Sequence, residues 1–308
     1  MITLRSLAPV VLLWAAVYSM KPAEPVTSSV VTSAVTSAVT AARPLPFFYD
    51  LYTFRDDDAG TRVVLSIAVE ARRLQRERAE GQSQYRFDVR FVLADTALGS
   101  VSNTEDSVYL RMPSALSSRH LLHTYVEVEA VPSDATLQRV VVTDATRPGT
   151  GQLYSSPFII PDYSGSELML SDIAFGLPDA TGGWTRRGVT LALLPTSQFP
   201  ESAFDVYYEI YNLPAGTPYE TEISIQPLGD DDERAVTATF SGESTARGDG
   251  SLAELRRIES TLPRGEYRFT ISVRNRLGGE VATRTRDFEV QSWGGATLVE
   301  AMPYKDDS

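Results

Sequence analysis

The chain has 308 residues, a length that favours two domains over one, and its 43% hydrophobic and 22% charged residues are ordinary for a protein with packed cores. Against 40 acidic side chains stand 28 basic ones, a formal charge of −12 that lacks the basic footprint phosphate backbones demand and argues against nucleic-acid binding. Cysteine is absent, which removes disulfides, thiolate nucleophiles, cysteine-ligated metals and lipidation through an N-terminal cysteine.

Arg5 precedes an apolar run over residues 7–18 that includes Val10-Val11-Leu12-Leu13-Trp14-Ala15. A positive start followed by a short apolar stretch has the layout of a secretory signal, with Val17 and Ser19 as the small residues before a cut after Ser19. The run falls short of the roughly 20 apolar residues of a membrane span. The expectation is therefore a signal peptide over residues 1–19, a mature chain without a transmembrane span, and a periplasmic or secreted location. Residues 20–45 read as a disordered linker. The tetrads Val31-Thr32-Ser33-Ala34 and Val35-Thr36-Ser37-Ala38 hold no large apolar residue that would offset the entropy of ordering.

From there the pattern is all-β. In the first domain, 46–163, the aromatic strand Phe47-Phe48-Tyr49-Asp50-Leu51-Tyr52-Thr53-Phe54 turns at Asp56-Asp57-Asp58 and returns as Val63-Val64-Leu65-Ser66-Ile67. Residues 71–84 read as a charged loop or a single helical turn. Strands follow over residues 85–93, 107–112, 124–129, 137–143 and 153–160, an antiparallel sandwich of seven short strands. In the second domain, 165–291, the central strand is Phe204-Asp205-Val206-Tyr207-Tyr208-Glu209-Ile210-Tyr211. Its period of two points Phe204, Val206, Tyr208 and Ile210 inward and Asp205, Tyr207, Glu209 and Tyr211 to a wet face. Phe87-Asp88-Val89 opens a similar strand about one sandwich domain earlier. In Leu262-Pro263-Arg264-Gly265-Glu266-Tyr267 a turn delivers a tyrosine to a strand start, the layout of the tyrosine corner of Ig-like sandwiches, whose hydroxyl bonds back to the loop. Leu277-Gly278-Gly279 turns that strand into the next. The fold class is thus two tandem Ig-like or fibronectin-III-like antiparallel β-sandwiches, followed by a flexible tail, 292–308, in which Trp293 could tuck against the sandwich.

Five stretches carry a family resemblance: Tyr49-Asp50-Leu51-Tyr52-Thr53-Phe54, Phe158-Ile159-Ile160-Pro161-Asp162-Tyr163, Leu170-Ser171-Asp172-Ile173, residues 206–213, and residues 262–267. Together, over roughly residues 47–291, they resemble the β-rich part of GWxTD domain-containing proteins, exported bacterial proteins of little-defined function. Gly183-Trp184-Thr185-Arg186 lacks the aspartate of the name-giving motif and lies elsewhere in the chain. The resemblance implies a β-rich fold and export, and assigns no functional residue.

Few residues suggest chemistry. His120 and His123 are the only histidines, and in a strand a spacing of three sets them on opposite faces without a third ligand beside them. Neither a nucleophile elbow nor a phosphate-cradling loop accompanies them. Asp56-Asp57-Asp58 and Asp230-Asp231-Asp232-Glu233 lack the alternating spacing of a calcium loop and read as solvated turns. Arg247-Gly248-Asp249 reads as polar loop. No metal and no cofactor is expected. Placing the central strand beside the strand of residues 267–275 brings Tyr207, Tyr211, Glu209, Arg268 and Arg274 onto one outer face, a candidate contact patch because interfaces enrich tyrosine and arginine. The functional expectation is a non-catalytic exported protein with a binding or assembly role at the bacterial cell envelope, its partner an envelope protein or a glycan. The alternatives are a glycan-binding accessory module using the Tyr207/Tyr211 face, and an enzyme with an unrecognised site.

Overall fold

The computed structural model describes residues 43–303 apart from short stretches at 57–59, 98, 179–181, 200–202, 229–234, 248–249, 260–261 and 292–296. The expected signal peptide, most of the linker, Asp57, Asp58, the cluster 230–233, Gly248, Asp249 and Trp293 lie outside the described residues.

The first sandwich is built from β1 (Arg43–Pro44), β2 (Phe47–Arg55), β3 (Thr61–Glu70), β4 (Glu77–Ala79), β5 (Gln82–Asp95), β6 (Val101–Met112), β7 (His120–Ala130), β8 (Ser133–Asp144) and β9 (Thr150–Ile160). A single 3-10 turn, Ala71–Arg73, follows β3. The second contains β10 (Met169–Leu170), β11 (Ala174–Leu177), β12 (Trp184–Arg186), β13 (Val189–Leu193), β14 (Gln198–Phe199), β15 (Phe204–Tyr211), β16 (Pro218–Pro227), β17 (Val236–Glu243), β18 (Ser251–Ile258), β19 (Gly265–Asn275) and β20 (Val281–Val290). Two more strands, β21 (Thr297–Glu300) and β22 (Met302–Pro303), follow.

These strands form four sheets, almost wholly antiparallel. The first sandwich has an outer sheet, β1-β9-β8-β5-β6-β22 with β4 on β5, and an inner sheet, β2-β3-β7-β21. The second has an inner sheet, β10-β15-β11-β13-β12 with β18 on β15, and an outer sheet, β14-β20-β19-β16-β17. One core, with Leu65, Phe87, Phe91 and Val126, fills the first sandwich, and another, with Phe175, Phe204, Tyr208, Phe269 and Phe288, fills the second. A third joins Tyr52, Phe54 and Val64 of one inner sheet to Trp184, Leu191, Leu193 and Tyr207 of the other. The four sheets are therefore successive layers with three apolar seams. The strand patterns obey this order. In β5, Phe87, Val89 and Phe91 are buried while Arg90 faces water, whereas all eight residues of β15 are buried.

Several local expectations hold. The first hairpin pairs Phe47 with Val69 and Thr53 with Val63. The Tyr267 hydroxyl donates to the Pro263 carbonyl at 2.9 Å, tying the strand start to its loop. Tyr267→Phe is expected to lower the unfolding free energy by about 1 kcal/mol, the usual net worth of one such bond. Urea denaturation of the two proteins measures this, and equal midpoints would show that the bond adds nothing.

The chain departs from expectation at both ends. The linker's last residues are structured: Arg43 and Pro44 pair with Thr150 and Gly151 of β9, and Leu45 is fully buried. The tail does not fray throughout. Thr297–Glu300 lies parallel to β7, Met302–Pro303 pairs with β6, and Ala301, buried between them, donates its N–H to the His123 carbonyl. Unpaired edges of both sheets of the first sandwich offered the tail backbone partners, which residue-level polarity does not reveal.

Candidate functional site

The outward face of β15 is not a surface. Tyr207, Glu209 and Tyr211 are each fully buried, because the inner sheet of the first sandwich lies over them. The Glu209 carboxylate accepts from everything around it. Its Oε1 takes the Tyr207 hydroxyl at 2.5 Å and Arg186 Nε at 2.6 Å. Its Oε2 takes the Tyr211 hydroxyl at 2.9 Å, Arg186 Nη2 at 3.2 Å and Arg187 Nε at 3.2 Å. Burial and the neighbouring Glu209 charge push both tyrosine hydroxyls well above their usual pKa, so they stay protonated donors. Across the seam the Tyr211 hydroxyl accepts the Arg55 N–H at 2.8 Å, and Arg186 Nη2 donates to the Arg55 carbonyl at 2.6 Å.

Local geometry delivers the two arginines. Residues 187 and 188 form the two-residue loop between β12 and β13, with φ of 48° and 84°, the left-handed pair that matches strand twist. The preceding Gly182-Gly183-Trp184 is more than a loop. Gly183 sits at φ 136° with its backbone so near Leu191 that a Cβ would meet that carbonyl oxygen at 2.4 Å. Only glycine admits this approach, and it sets Trp184 against Phe54 and Tyr207, with ring centroids 5.0 and 5.5 Å away.

Arg268 and Arg274 are not part of this constellation. They belong to β19, which pairs with β16 and β20 in the outer sheet, whereas β15 pairs with β10, β11 and β18. Arg268 bonds Asp287 at 2.8 Å on the exposed side, and Arg274 is exposed. The five residues expected on one face are divided between two sheets, because strands adjacent in the sequence plan fall in different layers.

A second polar knot, which sequence reasoning missed, lies along the same seam. Asp172 accepts from the Thr53 N–H at 2.9 Å and its hydroxyl at 2.5 Å, returns its own N–H to the Thr53 carbonyl, and pairs with Arg284. Arg286, half-buried, pairs with Asp50 at 2.6 Å and lies 4.5 Å over the Tyr52 ring. The Thr53–Asp172, Asp50–Arg286 and Tyr52–Arg286 contacts join the two sandwiches, while the Asp172–Arg284 pair lies within the second.

The histidines divide as well. His120, half-buried, holds the Ser117 hydroxyl with Nδ1 at 2.7 Å. His123 is buried between the inner sheets, its Nε2 2.9 Å from the Ser66 hydroxyl, which donates in turn to the Leu193 carbonyl at 3.1 Å. A serine whose proton goes to a carbonyl presents its oxygen to the imidazole N–H, a structural arrangement and not that of a nucleophile handed to its base. No group of three metal-ligating side chains occurs among the described residues.

Burial pushes the His123 pKa down to about 4. In the unfolded chain it titrates near 6.5, so between these values the unfolded state binds a proton that the folded state refuses. Stability is unaffected above pH 6.5, falls as pH drops through that window, and levels off below about 4. The loss is expected to reach about 3 kcal/mol. His123→Gln should flatten this segment of a denaturation-versus-pH curve, and an unchanged slope would assign the acid lability to other groups.

Where the seam reaches solvent it opens into a cleft of about 410 Å³. The first sandwich supplies Phe48, 40% exposed, with Leu121, Arg72 and Arg119. The second supplies Pro195, Thr196, Gln198 and Gln291. Glu70, also at the cleft, is gripped by Arg72 Nε at 2.8 Å and Arg73 Nε at 3.0 Å, and its carboxyl is held below the usual range chiefly by the Arg72 hydrogen bond.

Among the described residues no helix is long and apolar enough to cross a membrane. No protein-family model matches the chain, and no curated protein matches it. Among solved structures it is similar to a red sea bream transglutaminase, at 11% identity and a TM-score of 0.23, over 83% of this chain and 32% of that one. It is also similar to a Bacteroides uniformis β-glucuronidase, at 10% identity and a TM-score of 0.26, over 73% of this chain and 26% of that one. The chain spans about a third or less of the length of these two proteins.

Proposed function

We propose that this chain is an exported, non-catalytic protein with a binding or assembly role at the bacterial cell envelope, each sandwich being of the Ig-like or fibronectin-III-like type. The observation that carries the reading is the cleft shared by both sandwiches, an open concavity at a domain seam, where ligand sites concentrate. The titratable groups that would otherwise suggest chemistry are consumed nearby in joining the layers, Glu209 and Asp172 to arginines and His123 to Ser66. The N-terminal charge and hydropathy layout supports export, and the Tyr267–Pro263 bond supports the Ig-like type.

The test has two arms. Cell fractionation should recover the chain outside the cytoplasm, trimmed near residue 19. Crosslinking in the intact envelope should then capture a partner that Phe48→Asp releases. Cytoplasmic recovery would refute export, and capture unaffected by Phe48→Asp would move the binding role away from the cleft.

A further inference from the structure

We infer that the cleft between the sandwiches binds a carboxylate-bearing sugar, a hexuronic acid unit of an acidic polysaccharide. The inference rests on the binding role proposed above and adds the chemistry of the ligand. It begins from charge. The whole chain carries a formal charge of −12, yet two arginines, Arg72 and Arg119, line this cleft against a single lining carboxylate, Glu70, which a third arginine outside the lining, Arg73, also holds. Glu70 is already committed to two of those arginines, so the site has an excess of positive charge on an acidic protein. Such local reversal of sign marks an anion site.

Arg119 is the group left to meet the anion. Its backbone is fixed, with its carbonyl accepting the Thr297 N–H at 2.9 Å, while its exposed guanidinium makes no hydrogen bond or ion pair among the described residues. The planar donor fork of arginine matches a carboxylate in two parallel hydrogen bonds. The remaining polar lining is neutral: Ser118 and Thr196 offer hydroxyls, Gln198 and Gln291 offer amides. Gln198 donates its Nε2 to Glu289 at 3.2 Å, which fixes the amide and leaves its oxygen as an acceptor for a ligand hydroxyl. A simple anion such as phosphate needs cations and N–H groups and makes little use of four neutral hydrogen-bonding side chains. A polyhydroxylated ring uses all of them.

The apolar part completes the match. Phe48 belongs to β2, whose inward neighbour Phe47 packs in the first core, so Phe48 points to the seam and keeps 40% of its surface exposed. A half-exposed aromatic ring in a polar cleft suits the C–H face of a sugar, and Leu121 and Pro195 continue the apolar patch. At about 410 Å³ the cleft lies within the usual range for small-ligand sites and accepts one or two sugar rings.

Calorimetric titration of the full chain with trigalacturonate should give saturable binding, whereas neutral galactotriose and inorganic phosphate should not bind at the same concentrations. Arg119→Ala is expected to weaken trigalacturonate at least about tenfold, the loss of one charge-assisted contact. Phe48→Ala should weaken it severalfold, and Arg268→Ala, on the far outer sheet, should leave it unchanged. Arg119 is exposed, so its variant should melt with the parent and the loss cannot be attributed to unfolding. Absence of trigalacturonate binding, equal binding of galactotriose, displacement by phosphate, or full affinity in Arg119→Ala would each overturn the inference. The broader envelope-binding reading stands or falls separately, on fractionation and partner capture.

Discussion

Replacing Glu209 by glutamine is expected to remove about 3–5 kcal/mol of stability, the cost of stranding a buried partner charge. Glu209 is fully buried, and Arg186 and Arg187 keep only 14% and 10% side-chain exposure. Without the carboxylate, two guanidinium groups and two tyrosine hydroxyls converge on an amide that is itself half donor. Arg187 also holds a left-handed φ of 48°, a conformation with a cost for a long side chain, offset in part by its ion pair. Urea denaturation followed by tryptophan fluorescence reads the loss. Adding Arg186→Met to Glu209→Gln should recover part of it, since one buried charge then disappears along with its partner. A Glu209→Gln variant within about 0.5 kcal/mol of the parent, the ordinary scatter of surface substitutions, would mean that the network is more hydrated than its burial implies.

Trp184→Ala should be of similar size, about 3–5 kcal/mol, the range for removing a large aromatic from a packed core. Among the described residues Trp184 is the largest fully buried side chain, wedged between Phe54 of the first sandwich and Tyr207 of the second, with its indole N–H given to Glu127. The cavity opens at the seam and not within either sandwich. The variant should therefore also expose the seam to proteolysis while each sandwich keeps its strand content by circular dichroism. Unchanged thermal midpoints would show that the third apolar layer contributes little.

Much of the strand order was legible because alternation and turn chemistry are local. Gly216 at φ 77° and Gly279 at φ 76° close the turns that Leu213-Pro214-Ala215-Gly216 and Leu277-Gly278-Gly279 announce. What period two cannot say is what covers the second face. Strands β5 and β15 share a Phe-Asp-Val segment, at the middle of β5 and the start of β15, but the outer side of β5 carries Asp88 and Arg90, and that of β15 carries Tyr207, Glu209 and Tyr211. Paired tyrosines around one acid were the available hint that the face is covered by protein. Arg186, Asp172 and Arg284 were missed because their partners lie far off in sequence, 112 positions for Asp172 and Arg284. Along the seam Thr53 bonds Tyr163 and Asp172, Ser171 and Tyr211 bond Glu209, and the Tyr163 and Tyr211 rings meet edge-on. These contacts help to hold the two sandwiches together.

The central claim, that the aromatic and acidic face of β15 is an internal seam, is tested most directly by tyrosine nitration with peptide mapping of the native chain. Tyr207 and Tyr211 should remain unmodified until the chain is unfolded, while the half-buried Tyr109 reacts first. Native-state nitration of Tyr207 and Tyr211 at the rate of Tyr109 would contradict the layered arrangement and return that face to the surface.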